Sequence, residues 1–414
     1  AYLVSGFPIA RLFLSSEKTW SLKLLVTSFA FSCFLTYPAA VLTTILEGQS
    51  AQAIYSVHLN HSLFFLLLIS LPFWLALFRK KLPGLSIPKI QRAHMILLLF
   101  LILYSFFVFW NLGRADVIGD DYDLGYQAYN LHDGILAARK AFIVSFSAHP
   151  PLMMTIKHFG MNLFSPYGLE TLQGWMFRGV EGMMGIGIIL TVYLLVRDFV
   201  SSKVALITAL LLSVNNNLIF SGRLFGREIY LVFFLLVSVY FFLIYRRDDT
   251  RKALIISAFF LASGFLVKTS ALPIFISVSL FILQTKRYRD LIIFSTTLLL
   301  FYLPVILFNL VAYLKTGMMD ATFSLLIGKY HPLVTTVSKN EFLSHPADIF
   351  FLLSDLNSWP IFLLMLLASL VVIRKYFREN ILVSFLMVSL LINLIFFTFS
   401  PLRAYYLLYM TIPL

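Results

Sequence analysis

The chain has 414 residues, of which 60% are hydrophobic and only 12% charged, and a mean hydropathy of +0.89; this composition excludes a soluble globular protein. Its net charge of +13 is typical of the cytoplasmic basic loops of a membrane protein and does not indicate nucleic-acid binding. With one cysteine, Cys33, it has no internal disulfide framework. Because it begins without Met and stops inside an apolar stretch, we expect it to be incomplete at its ends.

Long apolar runs recur along the whole chain and predict an all-α polytopic membrane protein with about twelve transmembrane helices. The runs lack the alternating pattern of a membrane β-barrel. The run at 253–283 is interrupted at Lys268, so we expect two short helices joined by a tight turn. The predicted spans are 22–46, 61–78, 93–111, 177–196, 204–221, 230–245, 253–267, 269–283, 290–312, 355–373, 381–399 and 404 onward.

Basic residues occur in six clusters, and these predict the topology. Threading the twelve spans in order places all six clusters on one side, which is therefore the cytoplasm. The clusters lie in the N-terminal stretch and in the loops 79–92, 197–203, 246–252, 284–289 and 374–380. The segments that then face the extracytoplasmic side are 112–176, 222–229, 313–350 and 400–403, together with Lys268.

The segment 112–176 is long for a loop, which favours a function, and it carries the acidic residues Asp120, Asp121 and Asp123. Neighbouring carboxylates can act as a general base on a hydroxyl, orient a sugar or bind a metal ion. They can equally cap a following helix and interact with its dipole. On this stretch alone, capping is the more common role.

Two parts of this segment have weak helical patterns. Residues 123–140 place apolar side chains on one face, and residues 150–165 form an apolar stretch that Lys157 and His158 interrupt. Both patterns predict amphipathic helices that lie in the membrane interface.

Several further residues on the predicted outer side are candidates for a site. His149 precedes two prolines, which fix a rigid entry to a helix, and it could contact a phosphate or an acceptor. Arg223 and Arg227 suit phosphate groups, but arginines also anchor helices at lipid headgroups. Lys268 could have a function in the site, or its long side chain could simply extend to the membrane surface and place its charge in water. Arg403 is a third outer arginine, and the coincidence of these residues on one side is stronger evidence than any one of them.

These motifs, in this order, resemble the GT-C glycosyltransferases of the protein O-mannosyltransferase and lipid A aminoarabinose transferase group. The family shows an acidic motif in a large first outer loop, then a helix and Pro-Pro-Leu, as at residues 150–152. It also shows an arginine with an acidic residue five positions later, as in Arg223 and Glu228. A lysine-containing turn resembles 264–269, and a late Arg-x-Tyr resembles 403–405.

The resemblance covers about residues 90–411 and includes departures. The family's Asp-Glu is either Asp120-Asp121 or, in another register, Asp123 followed by Leu. The family's lysine before Pro-Pro is His149, and Glu228 stands where Asp is usual. Residues 1–90, with two extra spans, are not covered. We therefore predict an N-terminal region at 1–90 and a catalytic domain at 91–414 that includes the outer loop 112–176.

The resemblance implies a glycosyltransferase that moves a sugar from a polyprenyl-phosphate donor to an acceptor hydroxyl, with inversion, on the extracytoplasmic face of a bacterial or archaeal plasma membrane. Asp120, Asp121 or Asp123 would be the general base. No cofactor is required, although a divalent ion at Asp120 and Asp121 stays open. The acceptor is a protein, a lipid or a glycan. The residues implied in binding the lipid phosphate or sugar are His149, Arg223, Arg227, Glu228, Lys268 and Arg403.

Two other functional classes stay open. A lipid-linked glycan polymerase or ligase also places arginines on the outer face and uses lipid-linked donors. A polytopic transporter or flippase often has twelve spans, but it should show internal repeats and broken helices at mid-membrane. The sequences of the two halves of this chain show no repeat, and the one large outer loop has no counterpart of its length in the second half. Both observations argue against a transporter.

Overall fold

The computed structural model describes the chain with gaps, and every regular element among the described residues is helical. The described residues are 2–15, 21–47, 58–80, 91–110, 112, 152–153, 155–157, 160, 174–223, 226–316, 367, 374 and 379–398. The all-α class that the sequence predicts is therefore confirmed within this part of the chain.

The described α-helices are labelled here in chain order. They are α1 Tyr2–Phe13, α2 Leu22–Glu47, α3 His58–Arg79, α4 Arg92–Phe109, α5 Gly174–Phe199, α6 Ser202–Ser213, α7 Asn216–Arg223, α8 Glu228–Asp248, α9 Arg251–Phe265, α10 Leu272–Gln284, α11 Tyr288–Thr316 and α12 Ile381–Thr398. A short 3-10 helix, Thr269–Ala271, precedes α10.

Within the described ranges, four helices are long and apolar enough to cross a membrane, and a bent pair makes a fifth. The count of twelve spans stays a prediction, and the predicted spans 355–373 and 404 onward lie almost wholly outside the described residues. The helix α1, which is only 12 residues long, was not predicted. The apolar segments of these four helices are Leu22–Ala39, Arg92–Phe109, Arg178–Phe199 and Glu228–Asp248.

The predicted span 204–221 is wrong as a single helix. The structure divides it into α6 and α7, whose axes meet at an angle of 54°. The reason is local, because Asn215 accepts a hydrogen bond from the Leu218 amide at 3.0 Å and so caps α7. Asparagine side chains bond readily to nearby backbone, and this favours helix ends over helix interiors.

Helix α8 forms the centre of the described bundle. Every residue from Glu228 to Tyr245 is buried, as expected of a helix that is apolar on all sides. It packs against α5 on one side and α9 on another. Its 21 residues span about 30 Å, so Glu228 and Asp248 mark opposite ends of the bundle.

Three of the loops that join these helices lie together at the Asp248 end, and the start of α12 lies beside them. Arg247 Nη1 donates to the Asp198 carbonyl at 3.3 Å, and Arg246 Nη1 to the Phe281 carbonyl at 3.0 Å. Asn380 Nδ2 donates to the Phe199 carbonyl at 3.0 Å, which brings the start of α12 to the same place. The basic loops 197–203, 246–252 and 284–289 and the end of loop 374–380 therefore share one end of the bundle, as their predicted topology requires.

Helix α4 approaches α5 closely because glycines face it. A Cβ atom added at Gly185 would overlap the Tyr104 hydroxyl, and one added at Gly182 would lie 2.5 Å from the Phe109 ring. Gly222 of α7 faces the same hydroxyl. The end of α4, from which the acidic segment departs, is thereby seated against both α5 and α7.

Candidate functional site

Glu228 and Lys268, two of the predicted site residues, form a buried ion pair at the end of the bundle opposite the basic loops. Glu228 is the first residue of α8, and Lys268 follows α9 in an extended conformation. Lys268 Nζ lies 2.6 Å from Glu228 Oε1, and the two side chains are 11% and 7% exposed. The expected pair of short helices around Lys268 is confirmed by α9, the turn and α10.

A second buried ion pair, between Lys157 and Glu181, was not predicted. Both side chains are almost fully inaccessible. Tyr230 Oη donates to Glu181 Oε1 at 3.0 Å, and Lys157 Nζ lies 5.9 Å from the centre of the Tyr230 ring. Tyr230 is two residues after Glu228 on α8, so this helix contributes to both pairs. Glu181 Oε2 is buried, and no described residue gives it a hydrogen bond.

The backbone after Pro150 and Pro151 lies against the turn that carries Lys268. The Leu152 amide donates to the Leu266 carbonyl at 3.0 Å. Leu266 is the C-cap residue of α9, and carbonyls at the end of a helix need partners from outside it. This bond therefore holds Leu152, the last residue of the Pro-Pro-Leu motif, against the turn that carries Lys268.

The described residues between 152 and 157 lack the exposure expected of the interfacial helix predicted at 150–165, most of which, like all of 123–140, lies outside the described residues. The described side chains in this stretch are all buried, from Leu152 through Thr155 to Lys157. Thr155 Oγ1 lies 3.1 Å from Thr36 Oγ1 of α2. An interfacial helix would keep a polar face in water, whereas Lys157 points into the bundle and pairs with Glu181.

Arg223 contacts the end of α4. Its Nη1 donates towards the carbonyls of Phe107 at 2.9 Å, Val108 at 3.2 Å and Trp110 at 2.8 Å. Cations that bond the last carbonyls of a helix stabilise its C-terminus. The observed contacts of Arg223 are thus structural, and they hold the point where the acidic segment begins.

A second arginine reinforces the same point. Arg178 of α5 is buried, and its Nη1 donates to the Leu112 carbonyl at 3.3 Å. Sequence reasoning missed Arg178 and Glu181 because both fall near the edge of an apolar run and were counted as part of a span. The available signal was their charge, since ionisable residues within a span are rare and generally functional or paired.

The remaining predicted site residues divide into two groups. Arg227 is half-buried and immediately precedes α8. The others, which include the predicted base and the predicted ligands of a divalent ion, lie outside the described residues. These residues are Asp120, Asp121, Asp123, His149 and Arg403.

Comparison with known proteins shows a match to one family model. Residues 148–338 match the family model described as dolichyl-phosphate-mannose-protein mannosyltransferase, a domain of the GT-C superfamily. The match confirms the resemblance for this part of the chain and supports a membrane glycosyltransferase of the GT-C type. It includes both buried ion pairs and His149. No curated protein and no solved structure matches the chain.

Proposed function

We propose that the chain transfers a sugar from a polyprenyl-phosphate donor to an acceptor hydroxyl on the extracytoplasmic face of the membrane. The proposal rests mainly on two buried ion pairs, Lys157–Glu181 and Lys268–Glu228. Both lie at one end of the bundle and inside the segment that matches the family. That family is named for transfer from dolichyl-phosphate mannose, which is a sugar on a polyprenyl phosphate. Apolar helices suit a donor whose tail stays in the bilayer.

In the proposed reaction an aspartate of the acidic segment, Asp120, Asp121 or Asp123, takes the proton of the acceptor hydroxyl. The hydroxyl oxygen attacks the anomeric carbon from the face opposite the phosphate, so the configuration inverts. The bond between that carbon and the phosphate oxygen breaks, and its electron pair stays on the phosphate. The products are a glycoside and polyprenyl phosphate.

Negative charge grows on the phosphate as it leaves, so a cation placed there stabilises the transition state. Lys268 is the described cation best suited to this role, because Glu228 fixes its position at 2.6 Å. Its turn also bonds to the backbone that follows His149 and the two prolines. Arg227 and Arg403 are proposed to add positive charge around the same phosphate.

Arg223 receives a different role from the one the sequence suggests. Its contacts with the carbonyls of Phe107, Val108 and Trp110 favour a positioning role, in which it holds the start of the acidic segment. We therefore propose that Arg223 acts on the aspartates through the backbone of α4.

The testing experiment is transfer from a panel of radiolabelled lipid-linked sugars in membranes that contain the chain. The panel pairs monophosphate donors with diphosphate donors, since a glycan polymerase or ligase is distinguished by its donor. Wild type is compared with Asp120→Asn, Asp121→Asn and Asp123→Asn. Asp248→Asn, at the opposite end of the bundle, is the matched control.

The expected result is turnover of a monophosphate donor that one of the three outer substitutions abolishes and the control leaves unchanged. A base contributes roughly 10²–10⁴-fold to such a reaction, so the loss should be of that order. Normal turnover in all three variants contradicts the proposed base. If no donor is consumed by the wild type, a transporter becomes the better hypothesis.

A further inference from the structure

A polar recess lies at the Asp248 end of the bundle, the end opposite the two buried ion pairs. It has a volume of about 570 Å³. It opens where the loop between α8 and α9 meets the loop between α10 and α11. Its lining residues are Asp249, Arg251, Lys286, Arg287, Tyr288, Arg289 and Asp290.

The charges of the recess do not balance, because four cations meet two carboxylates. Both carboxylates are already engaged. Asp249 pairs with Arg287, and Asp290 Oδ1 lies 3.3 Å from Arg251 Nε. Asp290 Oδ2 also accepts a hydrogen bond from the Tyr245 hydroxyl at 2.7 Å.

Lys286 and Arg289 supply the excess positive charge. Both are exposed, and within the described ranges neither side chain makes a hydrogen bond or an ion pair. The recess therefore presents two available cations beside two ordered ion pairs. This arrangement attracts an anion with several oxygen acceptors, such as a phosphate group.

The backbone at Lys286 shows that this lysine occupies a position better suited to glycine. Its φ is 57°, in the left-handed region, and its amide bonds to the Leu283 carbonyl at 2.8 Å after α10 ends. A side chain is disfavoured there relative to glycine. This unfavourable backbone conformation is consistent with a role for the charge of the lysine.

An apolar surface leads away from the recess along α11. Tyr288, Ile292, Leu299 and Leu303 are 62%, 65%, 55% and 38% exposed. Their spacing of four, seven and four residues puts them on one face of the helix. Tyrosine is favoured at the level of lipid headgroups and aliphatic side chains below it. Acyl chains could lie along this face, whereas a soluble anion would make no contact with it.

We propose that the recess binds the phosphate group of an anionic phospholipid headgroup, with the acyl chains along α11. Basic pockets at the cytoplasmic ends of membrane helices favour such headgroups. The inference does not depend on sugar transfer, since it requires only that this end of the bundle lies at a membrane surface.

The test titrates the full chain in detergent with phosphatidylglycerol and with phosphatidylcholine, and counts bound lipids by native mass spectrometry. Lys286→Gln with Arg289→Gln is the test variant. Lys203→Gln with Lys252→Gln removes the same charge from exposed positions at the same end, outside the recess, and is the matched control. Inorganic phosphate is added in a separate arm, and circular dichroism checks that each variant remains helical.

The expected result is that phosphatidylglycerol binds more tightly than phosphatidylcholine. The test variant should weaken phosphatidylglycerol binding about tenfold, and the control should change it little. Phosphate should not displace the lipid. Equal losses in test and control would overturn the proposal in favour of diffuse surface charge. If inorganic phosphate displaces the lipid, and does so only when Lys286 and Arg289 are present, the recess binds a free anion. That result would overturn the proposal of a lipid ligand.

Discussion

At the scale of single residues, four of the buried charged side chains in the described part of the chain form two ion pairs. Lys268 pairs with Glu228, and Lys157 pairs with Glu181. Removing one member of a buried pair leaves the other charge uncompensated and costs several kcal/mol, whereas replacing both with apolar residues is often neutral. This difference separates a role in stability from a role in catalysis.

For the Lys268 pair, we expect Lys268→Met to reduce both thermal stability and turnover. The double variant Glu228→Leu with Lys268→Met should recover stability, because neither charge is then left alone. If Lys268 stabilises the leaving phosphate, turnover in the double variant stays low, with a fall in kcat larger than the change in donor KM. If the double variant recovers both thermal stability and turnover, the pair has only a structural role. Melting temperature and donor kinetics on the same preparations distinguish the two results.

Tyr104 provides a second residue-level prediction. Its hydroxyl is buried, and no described residue bonds to it; it also faces Gly185. An unsatisfied buried hydroxyl costs about 1–3 kcal/mol, so Tyr104→Phe should raise the melting temperature. Gly185→Ala should lower it, because the added methyl group overlaps this hydroxyl.

The combination of Tyr104→Phe with Gly185→Ala should be less destabilised than Gly185→Ala alone, because the closest atom has been removed. A double-mutant cycle of melting temperatures measures this coupling. Additive effects would mean that the close approach of α4 and α5 does not depend on the hydroxyl.

At the scale of elements, Arg223 links α7 to the C-terminus of α4. Arg223→Gln removes its bonds to three carbonyls, and a lost helix-terminal interaction of this kind costs about 1 kcal/mol. We expect roughly fivefold faster hydrogen exchange at residues 107–112. Turnover should fall through kcat, with little change in donor KM.

A change confined to donor KM would contradict the positioning role of Arg223 and return it to the phosphate. Arg223→Lys tests the geometry further, since lysine keeps the charge but lacks the planar fork of donors. Lys203→Gln, an exposed residue at the other end of the bundle, is the control for charge loss alone.

The Lys157–Glu181 pair fixes residues 152–157 against α5. Lys157→Met leaves Glu181 without its counter-charge and should destabilise the fold by about 3–5 kcal/mol. Adding Glu181→Met should recover most of this loss. Lys252→Met, at an exposed position, should have no effect. Denaturation followed by circular dichroism gives the three values, and an unchanged midpoint for Lys157→Met would contradict the pair.

The sequence predicts helices better than it predicts their partners. Apolar runs placed α5, α8 and α11 within a few residues, because length and hydrophobicity determine which segments enter a membrane. The same runs hid the break at Asn215, which depends on one side-chain hydrogen bond. They also hid Glu181, whose role depends on Lys157 lying beside it in space.

The candidate site was predicted in part for a similar reason. A family pattern can select Glu228 and Lys268 separately, and the structure shows that they are in contact. Their contact could not follow from spacing, since the two residues are 40 positions apart. Arg223 was selected by charge, but its three acceptors are backbone carbonyls, which no sequence pattern distinguishes from a ligand.

At the scale of the whole molecule, the two ends of the bundle differ in chemistry. One end contains the basic loops and the recess, and the other contains the two buried ion pairs. We predict that the basic end faces the cytoplasm. Because Cys33 is buried and is the only cysteine of the chain, single introduced cysteines can test this directly.

In intact cells, a membrane-impermeant maleimide should label Gly226→Cys and not Lys252→Cys. After permeabilisation, both should react, which shows that each thiol is accessible. Labelling of Lys252→Cys alone in intact cells would invert the topology. The proposed site would then face the cytoplasm, and the extracytoplasmic reaction would be excluded.

The order of charged residues along the chain also bears on its synthesis. Lys157 is made before Glu181, so the counter-charge already exists when α5 leaves the ribosome. Lys268 is made 40 residues after Glu228, and at about 5–20 residues per second the delay is on the order of 2–8 seconds. During this interval Glu228, the first residue of α8, lacks the lysine that pairs with it in the folded chain. Until α9 and the Lys268 turn arrive, this carboxylate needs another partner, such as water, a lipid headgroup or the insertion machinery.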